Sequence, residues 1–255
     1  MSEDSTGVAA RVAEVRRRLA AACERAGRRV EEVTLVGAAK GQPVERLLAA
    51  VAAGVLVFGE NRVQEAEAHR AALAAAGVGV GAEGSDGAGG GGPAWHLIGP
   101  LQSNKAKPAA ALFDLVHSVD REKIARALDR ELAARGRRVE ALVEVNLGGE
   151  ASKAGFAPAG LAAAIRPLAD LGHLRLAGVM VIPPPADDPE DSRRWFRRAR
   201  ALRDELGARP EWAGWPGWLS MGMSDDFEVA VEEGATHVRI GTLLFGPREP
   251  SGAPA

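Results

Sequence analysis

Lys40 closes the apolar run Val33-Thr34-Leu35-Val36-Gly37-Ala38-Ala39. A primary amine at the end of such a run stands half in low dielectric, which disfavours its charged form. A neutral amine attacks an aldehyde to give a Schiff base, a reaction closed to arginine. The competing reading is a lysine that merely ends a strand and reaches to water; position alone leaves both open. A second constellation lies near the C-terminus. Leu219-Ser220-Met221-Gly222-Met223-Ser224-Asp225-Asp226 offers two hydroxyls and a glycine, just before a helix that Ser224 or Asp225 could cap. Arg239-Ile240-Gly241-Thr242-Leu243-Leu244-Phe245-Gly246 places the Gly241 and Thr242 N–H groups and a hydroxyl where they could bind an anion. Turn and capping chemistry explains either loop alone. Both together, at the two positions where barrels hold phosphate, favour an anion site built from Ser220, Ser224, Gly241 and Thr242.

Arg239 interrupts an apolar strand, and a buried guanidinium needs partners. Aimed inward it could donate to a pyridine nitrogen, keeping that ring unprotonated and a poor electron sink. The alternative is a salt bridge to Asp226 or Glu60. Two further polar clusters, Gly59-Glu60-Asn61-Arg62-Val63-Gln64-Glu65 and Gly99-Pro100-Leu101-Gln102-Ser103-Asn104-Lys105, follow apolar runs. They suit ligand contacts or helix capping by Asn61 or Ser103. The five histidines show no ligand spacing, so no metal site is expected. The single cysteine, Cys23, excludes an internal disulfide and a cysteine metal site.

The elements that must position these residues alternate. Apolar runs at Val33–Ala39, Val55–Phe58, Trp95–Ile98, Leu115–Ser118, Ala141–Val145, Ala177–Ile182, Trp218–Ser220 and His237–Ile240 are separated by amphipathic segments, with one more helix over Gly7–Ala26. Apolar strands alternating with helices indicate a parallel sheet covered on its faces. Eight of them in 255 residues predict a single α/β domain over residues 1–255: a TIM-type (β/α)8 barrel with an extra N-terminal helix. Gly77–Pro93 is more than half glycine and is expected to be a flexible insertion. The arginines from Arg193 to Arg203 are expected on a solvated helix face, and Trp212, Trp215 and Trp218 are expected to pack a loop against the barrel. Lys plus Arg (32) nearly balances Asp plus Glu (34), which leaves no electrostatic footprint for nucleic acid or an anionic membrane. No signal peptide or membrane-length apolar run is visible, so a cytoplasmic protein is expected.

VGAAKGQPVE, FGENRVQEA, WHLIGPLQSNKAK, HSVDR, VEVNLGGEASKAGF, LSMGMSDDFEVAVEEGATHVRIG and TLLFGPR, in this order from about residue 8 to 248, resemble the pyridoxal phosphate homeostasis protein family. The resemblance implies a barrel similar to the N-terminal domain of alanine racemase. It also implies pyridoxal 5'-phosphate, the vitamin B6 aldehyde, held as a Schiff base on the lysine matching Lys40. Ser220, Ser224, Gly241 and Thr242 then match the phosphate cradle, Arg239 the partner of the pyridine nitrogen, and Asn61 a residue near the ring. Ala39 and Gly41 depart from the usual pattern, where hydroxyl residues are common. Fold-related racemases draw an opposing tyrosine base from a second domain. This chain contains no tyrosine and ends seven residues after Arg248, and a two-base racemase needs a proton carrier on each face. The expectation is a monomeric carrier or buffer of the cofactor, affecting amino-acid and keto-acid balance and possessing no catalytic residue of its own, with apo-enzymes as recipients. The competing readings are a racemase or lyase that uses the cofactor, and a lysine aldolase that does not.

Overall fold

The computed structural model describes residues 3–79, 91–150 and 153–247; the middle of the glycine-rich segment, residues 80–90, lies outside them. Eight parallel strands close into one barrel in sequence order. They are β1 (Thr34–Ala38), β2 (Val57–Glu60), β3 (Ala94–Leu97), β4 (Leu115–Val119), β5 (Val139–Val145), β6 (Leu174–Val181), β7 (Trp218–Ser220) and β8 (His237–Ile240). The α/β barrel expected from the alternation is thus the fold observed. Strand bounds moved where packing overrode pattern. β2 starts two residues later than its apolar run and carries on through Gly59 and Glu60 because it pairs with β3 as far as Glu60↔Leu97.

Outside the barrel, α1 (Glu3–Arg25) precedes β1. It places Val8, Val12, Val15, Leu19, Ala22 and Cys23 on one buried stripe, the three-to-four-residue spacing of an amphipathic helix. That stripe packs on α2 (Val44–Ala52), α8 (Phe227–Glu232) and α9 (Thr242–Phe245), and each fully buried Val or Leu contributes roughly 1.5–3 kcal/mol. Charges stitch the same corner together. Glu233, nearly buried, is gripped by Arg193, Arg197 and Arg200 of α7 (Arg193–Gly207) at 2.9, 3.1 and 3.3 Å. The arginine stripe expected to face solvent is therefore in part a clamp between α7 and the end of α8. Periodicity places those arginines on one face but does not reveal the carboxylate opposite.

The remaining helices are α3 (Val63–Ala75), α4 (Ala106–Leu112), α5 (Glu122–Ala133) and α6 (Leu161–Ile165). Two small apolar clusters, Val36-Val57-Ala94 and Leu142-Ala177-Met180, stand apart from the main core between sheet and helices. They come from neighbouring strands, the first from β1, β2 and β3 and the second from β5 and β6, and the polar residues described below lie in the same interior. Trp218 joins the second cluster, 5.2 Å from the His237 ring, so it lines the barrel instead of packing a loop. Trp212 and Trp215 do pack together, at 5.9 Å.

Candidate functional site

Lys40 follows β1 by two residues, at the C-terminal mouth, where (β/α)8 barrels build their sites. It occupies the second position of a tight turn closed by Gln42 N–H donating to the Ala39 carbonyl at 3.0 Å. The third position, Gly41, has φ +64°, which with the negative φ of Lys40 makes a type II turn and explains glycine there. Lys40 is half-buried, and among the described residues its side chain makes no hydrogen bond or ion pair, so the amine is available. It lines a cavity of about 800 Å³ with Asn61, Leu97, Leu101, Gln102 and Lys105, a size suited to a small ligand. Asn61 is therefore brought to the same space as Lys40, as expected. Neither Asn61 nor Ser103 caps a helix: the residue before α3 is Arg62 and the one before the short turn at Ser103 is Gln102, each without a side-chain cap.

Pairing of β1 with β8 carries the second constellation to the lysine. Val36 lies opposite Arg239 and Gly37 opposite Ile240, and a Cβ on Gly241 would lie 3.6 Å from Ala38. The loop after β8 therefore runs beside the strand that delivers Lys40. The loop after β7 joins it, since Leu243 N–H donates to Ser224 Oγ at 3.5 Å. Ser224, Gly241 and Thr242 are thus neighbours although Ser224 and Gly241 are seventeen positions apart in the sequence. The cap of α8 is not Ser224 or Asp225 but Asp226, whose Oδ1 accepts the Met223 N–H at 2.8 Å and folds the loop back on itself.

Ser220 is placed differently. It is fully buried, and its hydroxyl accepts from Arg239 Nη1 at 2.6 Å and lies 2.7 Å from His117 Nδ1. His117 Nε2 lies 3.0 Å from His96 Nδ1. Arginine only donates, so the serine proton is free to go to His117 and the imidazole proton to His96; this assignment gives each atom a partner. Ser220 in this arrangement steadies the Arg239 guanidinium. The second guanidinium nitrogen donates to the Val181 carbonyl at 3.1 Å. Neither Glu60 nor Asp226 forms the salt bridge weighed for Arg239. Burial draws the guanidinium down to about 10, with Asp226 and Glu144 opposing that from a distance. Glu144 of β5 is itself raised, by burial first and by Asp120 second.

Sequence spacing did not reveal that His96, His117 and His237 share the barrel interior, with ring centres 5.0–6.0 Å apart. The available signal was that each interrupts an apolar strand. Among the described residues no group of three or more ligands could hold a metal. Burial keeps His117 neutral, well below its ordinary value, and lowers His237 to about 3. Unfolded, both titrate near 6.5. The unfolded chain therefore binds more protons below that pH, and stability is lost as pH falls from 6.5 toward 3. Each histidine costs up to about 1.4 kcal/mol per pH unit, visible as a steepening loss of Tm in thermal melts below pH 6.5. Ser220→Ala strands Arg239 and His117 together. It is expected to cost about 2–3 kcal/mol and roughly 5–10 °C in Tm, and unchanged melting would refute the cross-barrel arrangement.

The fold and the lysine at its mouth define a barrel of the alanine racemase N-terminal type, and the family model for the alanine racemase N-terminal domain matches residues 11–249. A relative from Aquifex aeolicus named pyridoxal phosphate homeostasis protein is 41% identical over 239 residues, covering 94% of this chain and 97% of its own. One of the same name from Pseudomonas aeruginosa is 41% identical over 248 residues, covering 97% and 98%. The solved structure of PipY from Synechococcus elongatus with PLP bound superposes with a TM-score of 0.76 at 36% identity, covering 94% of this chain and all of that one. The chain belongs to the pyridoxal phosphate homeostasis protein family.

Proposed function

We propose that the chain binds pyridoxal 5'-phosphate through Lys40 and serves its homeostasis as a monomeric cytoplasmic carrier or buffer, without substantial turnover. The observation that carries this reading is the Lys40 amine, unpartnered among the described residues, on a cavity of about 800 Å³ beside the joined loops of β7 and β8. When bound, the cofactor supplies an aldehyde that condenses reversibly with a primary amine. The donor set fits it. Ser224, Gly241 and Thr242 would offer a hydroxyl pair and backbone N–H groups to the phosphate, Arg239 would offer a buried guanidinium to the ring nitrogen, and Asn61, which lines the Lys40 cavity, would stand near the ring. An arginine in that role keeps the ring unprotonated and weak in carbanion chemistry. The relatives are named for homeostasis, which supports binding over catalysis.

What supports a monomer is the surface: among the described residues the large apolar side chains that are exposed are few, Val30, Leu56, Ile182 and Met223. Among these residues, no helix is long and apolar enough to cross a membrane. Delivery to apo-enzymes is part of the proposal and rests on the reversibility of imine exchange. The test is borohydride reduction of the cofactor-loaded chain and peptide mapping, with a single pyridoxyl group expected on the Lys40 peptide. Parallel incubation with L-amino acids in heavy water distinguishes carrier from racemase or lyase, because rapid α-deuterium exchange would establish an enzyme.

A further inference from the structure

We infer that His69, on the outer helix α3, is a positioning residue for Lys40: wedged as an imidazolium between Glu60 and the Gln42 carbonyl, it pins the turn that presents the amine. This rests on Lys40 being the capturing amine. His69 Nδ1 lies 2.6 Å from Glu60 Oε1, and Nε2 lies 3.0 Å from the Gln42 carbonyl oxygen. A carbonyl only accepts, so Nε2 carries a proton; with Glu60 ionised its carboxylate also accepts, so Nδ1 carries the second, in keeping with the rise that the Glu60 hydrogen bond gives His69. The ring with both protons is a cation. Its counter-charge, Glu60, is fully buried, and among the described residues its Oε2 has no hydrogen-bond partner.

Gln42 is the last residue of the Lys40 turn. Its side chain is held by Arg46, whose Nη1 donates to Gln42 Oε1 at 3.3 Å. Nothing approaches the Gly41 side of the turn within 4 Å of a built Cβ. The turn has no packing there to fix it, so its geometry depends on the anchoring of Gln42. The groups that act on the ring are Glu60 from β2, Glu65 from its own helix and the Gln42 carbonyl; all three raise His69, the Glu60 hydrogen bond most, and together they outweigh the burial that lowers it. Losing a ring proton sets a lone pair against either the carboxylate or the carbonyl and leaves Glu60 charged and uncompensated inside the protein. The anchoring is thus in place from the ordinary histidine value near 6.5 down to the pH at which Glu60, itself raised by burial, takes up a proton, and it is lost as pH rises through the raised histidine value.

The test titrates the full chain with pyridoxal phosphate from pH 6 to 9, following absorbance and borohydride trapping, for wild type, His69→Gln and His69→Ala. His69→Gln leaves one donor and no charge. About tenfold weaker binding is expected for it at pH 6.5, narrowing toward pH 9 as the wild type loses its ring proton, and His69→Ala is expected to bind more weakly still. If His69→Ala fails to fold, His69→Gln and Glu60→Gln carry the same comparison. Wild-type affinity in His69→Gln, or a loss equal at every pH together with a lowered apo Tm, overturns the positioning role. A wild-type chain with no adduct at Lys40 overturns the reading of the site itself.

Discussion

Lys40→Ala is expected to abolish the covalent adduct entirely, with no pyridoxyl peptide after borohydride and no absorbance band of the bound cofactor. Only a primary amine condenses with the aldehyde, and Lys40→Arg, which keeps the charge, is expected to behave the same way. What remains is the noncovalent grip of the loops after β7 and β8, so affinity is expected to fall by roughly 100-fold, about 2.8 kcal/mol. Stability is the control. Among the described residues the Lys40 side chain has no hydrogen bond or ion pair to lose, so its removal is expected to change stability by less than about 0.5 kcal/mol. A variant that still forms a reducible adduct at its former affinity would place the capturing amine elsewhere.

Gly222→Ala is the second large effect, and it acts on the phosphate side. Gly222 has φ +91°, where a side chain is strained, and a Cβ there would lie 2.5 Å from the Ala230 Cβ and 3.0 Å from the Phe227 Cα. Both obstacles belong to α8, and one is backbone, so the helix must shift as a unit. Strain at positive φ adds to overpacking, for a total of about 2–4 kcal/mol, or roughly 5–15 °C in Tm for a chain of this size. The Gly222 carbonyl also accepts the Arg239 N–H at 3.0 Å, so the displacement draws Ser224 away from Gly241 and Thr242 and weakens cofactor binding as well. Gly41→Ala gives the contrast. Its φ is also positive, but nothing lies within 4 Å of the new Cβ, so only the strain, about 1 kcal/mol, is expected. Equal Tm losses in the two variants would show that the contact with α8 does not matter.

Legibility of the site followed from how local each signal was. Lys40 could be placed because a lysine ending an apolar run lies at a strand end, and a (β/α)8 order fixes which end of the barrel that is. The meeting of the loops after β7 and β8 is legible because their separation in sequence matches one strand-helix unit. Helix capping at Asn61, Ser103 and Ser224 was misplaced. Such residues cap only when the backbone beside them turns into the helix at that point, and here Arg62, Gln102 and Asp226 hold those positions. Ser220 looked like one hydroxyl among several near a glycine, yet in the folded chain it meets His117, 103 residues away.

The amino-acid order alone determined that eight strands alternate with helices, that one primary amine stands at a strand end, and that a hydroxyl- and glycine-rich pair of loops ends the chain. Periodicity and turn chemistry act over a few residues, so they survive without knowledge of the partner surface. Only closure of the barrel decided which polar groups meet: Arg239 with Ser220, His117 with His96, His69 with Glu60 and Gln42, and three arginines with Glu233. Those meetings depend on strand register and on which face each strand turns inward, properties set by the packing of the whole sheet. A buried polar group is tolerated only once its partner arrives.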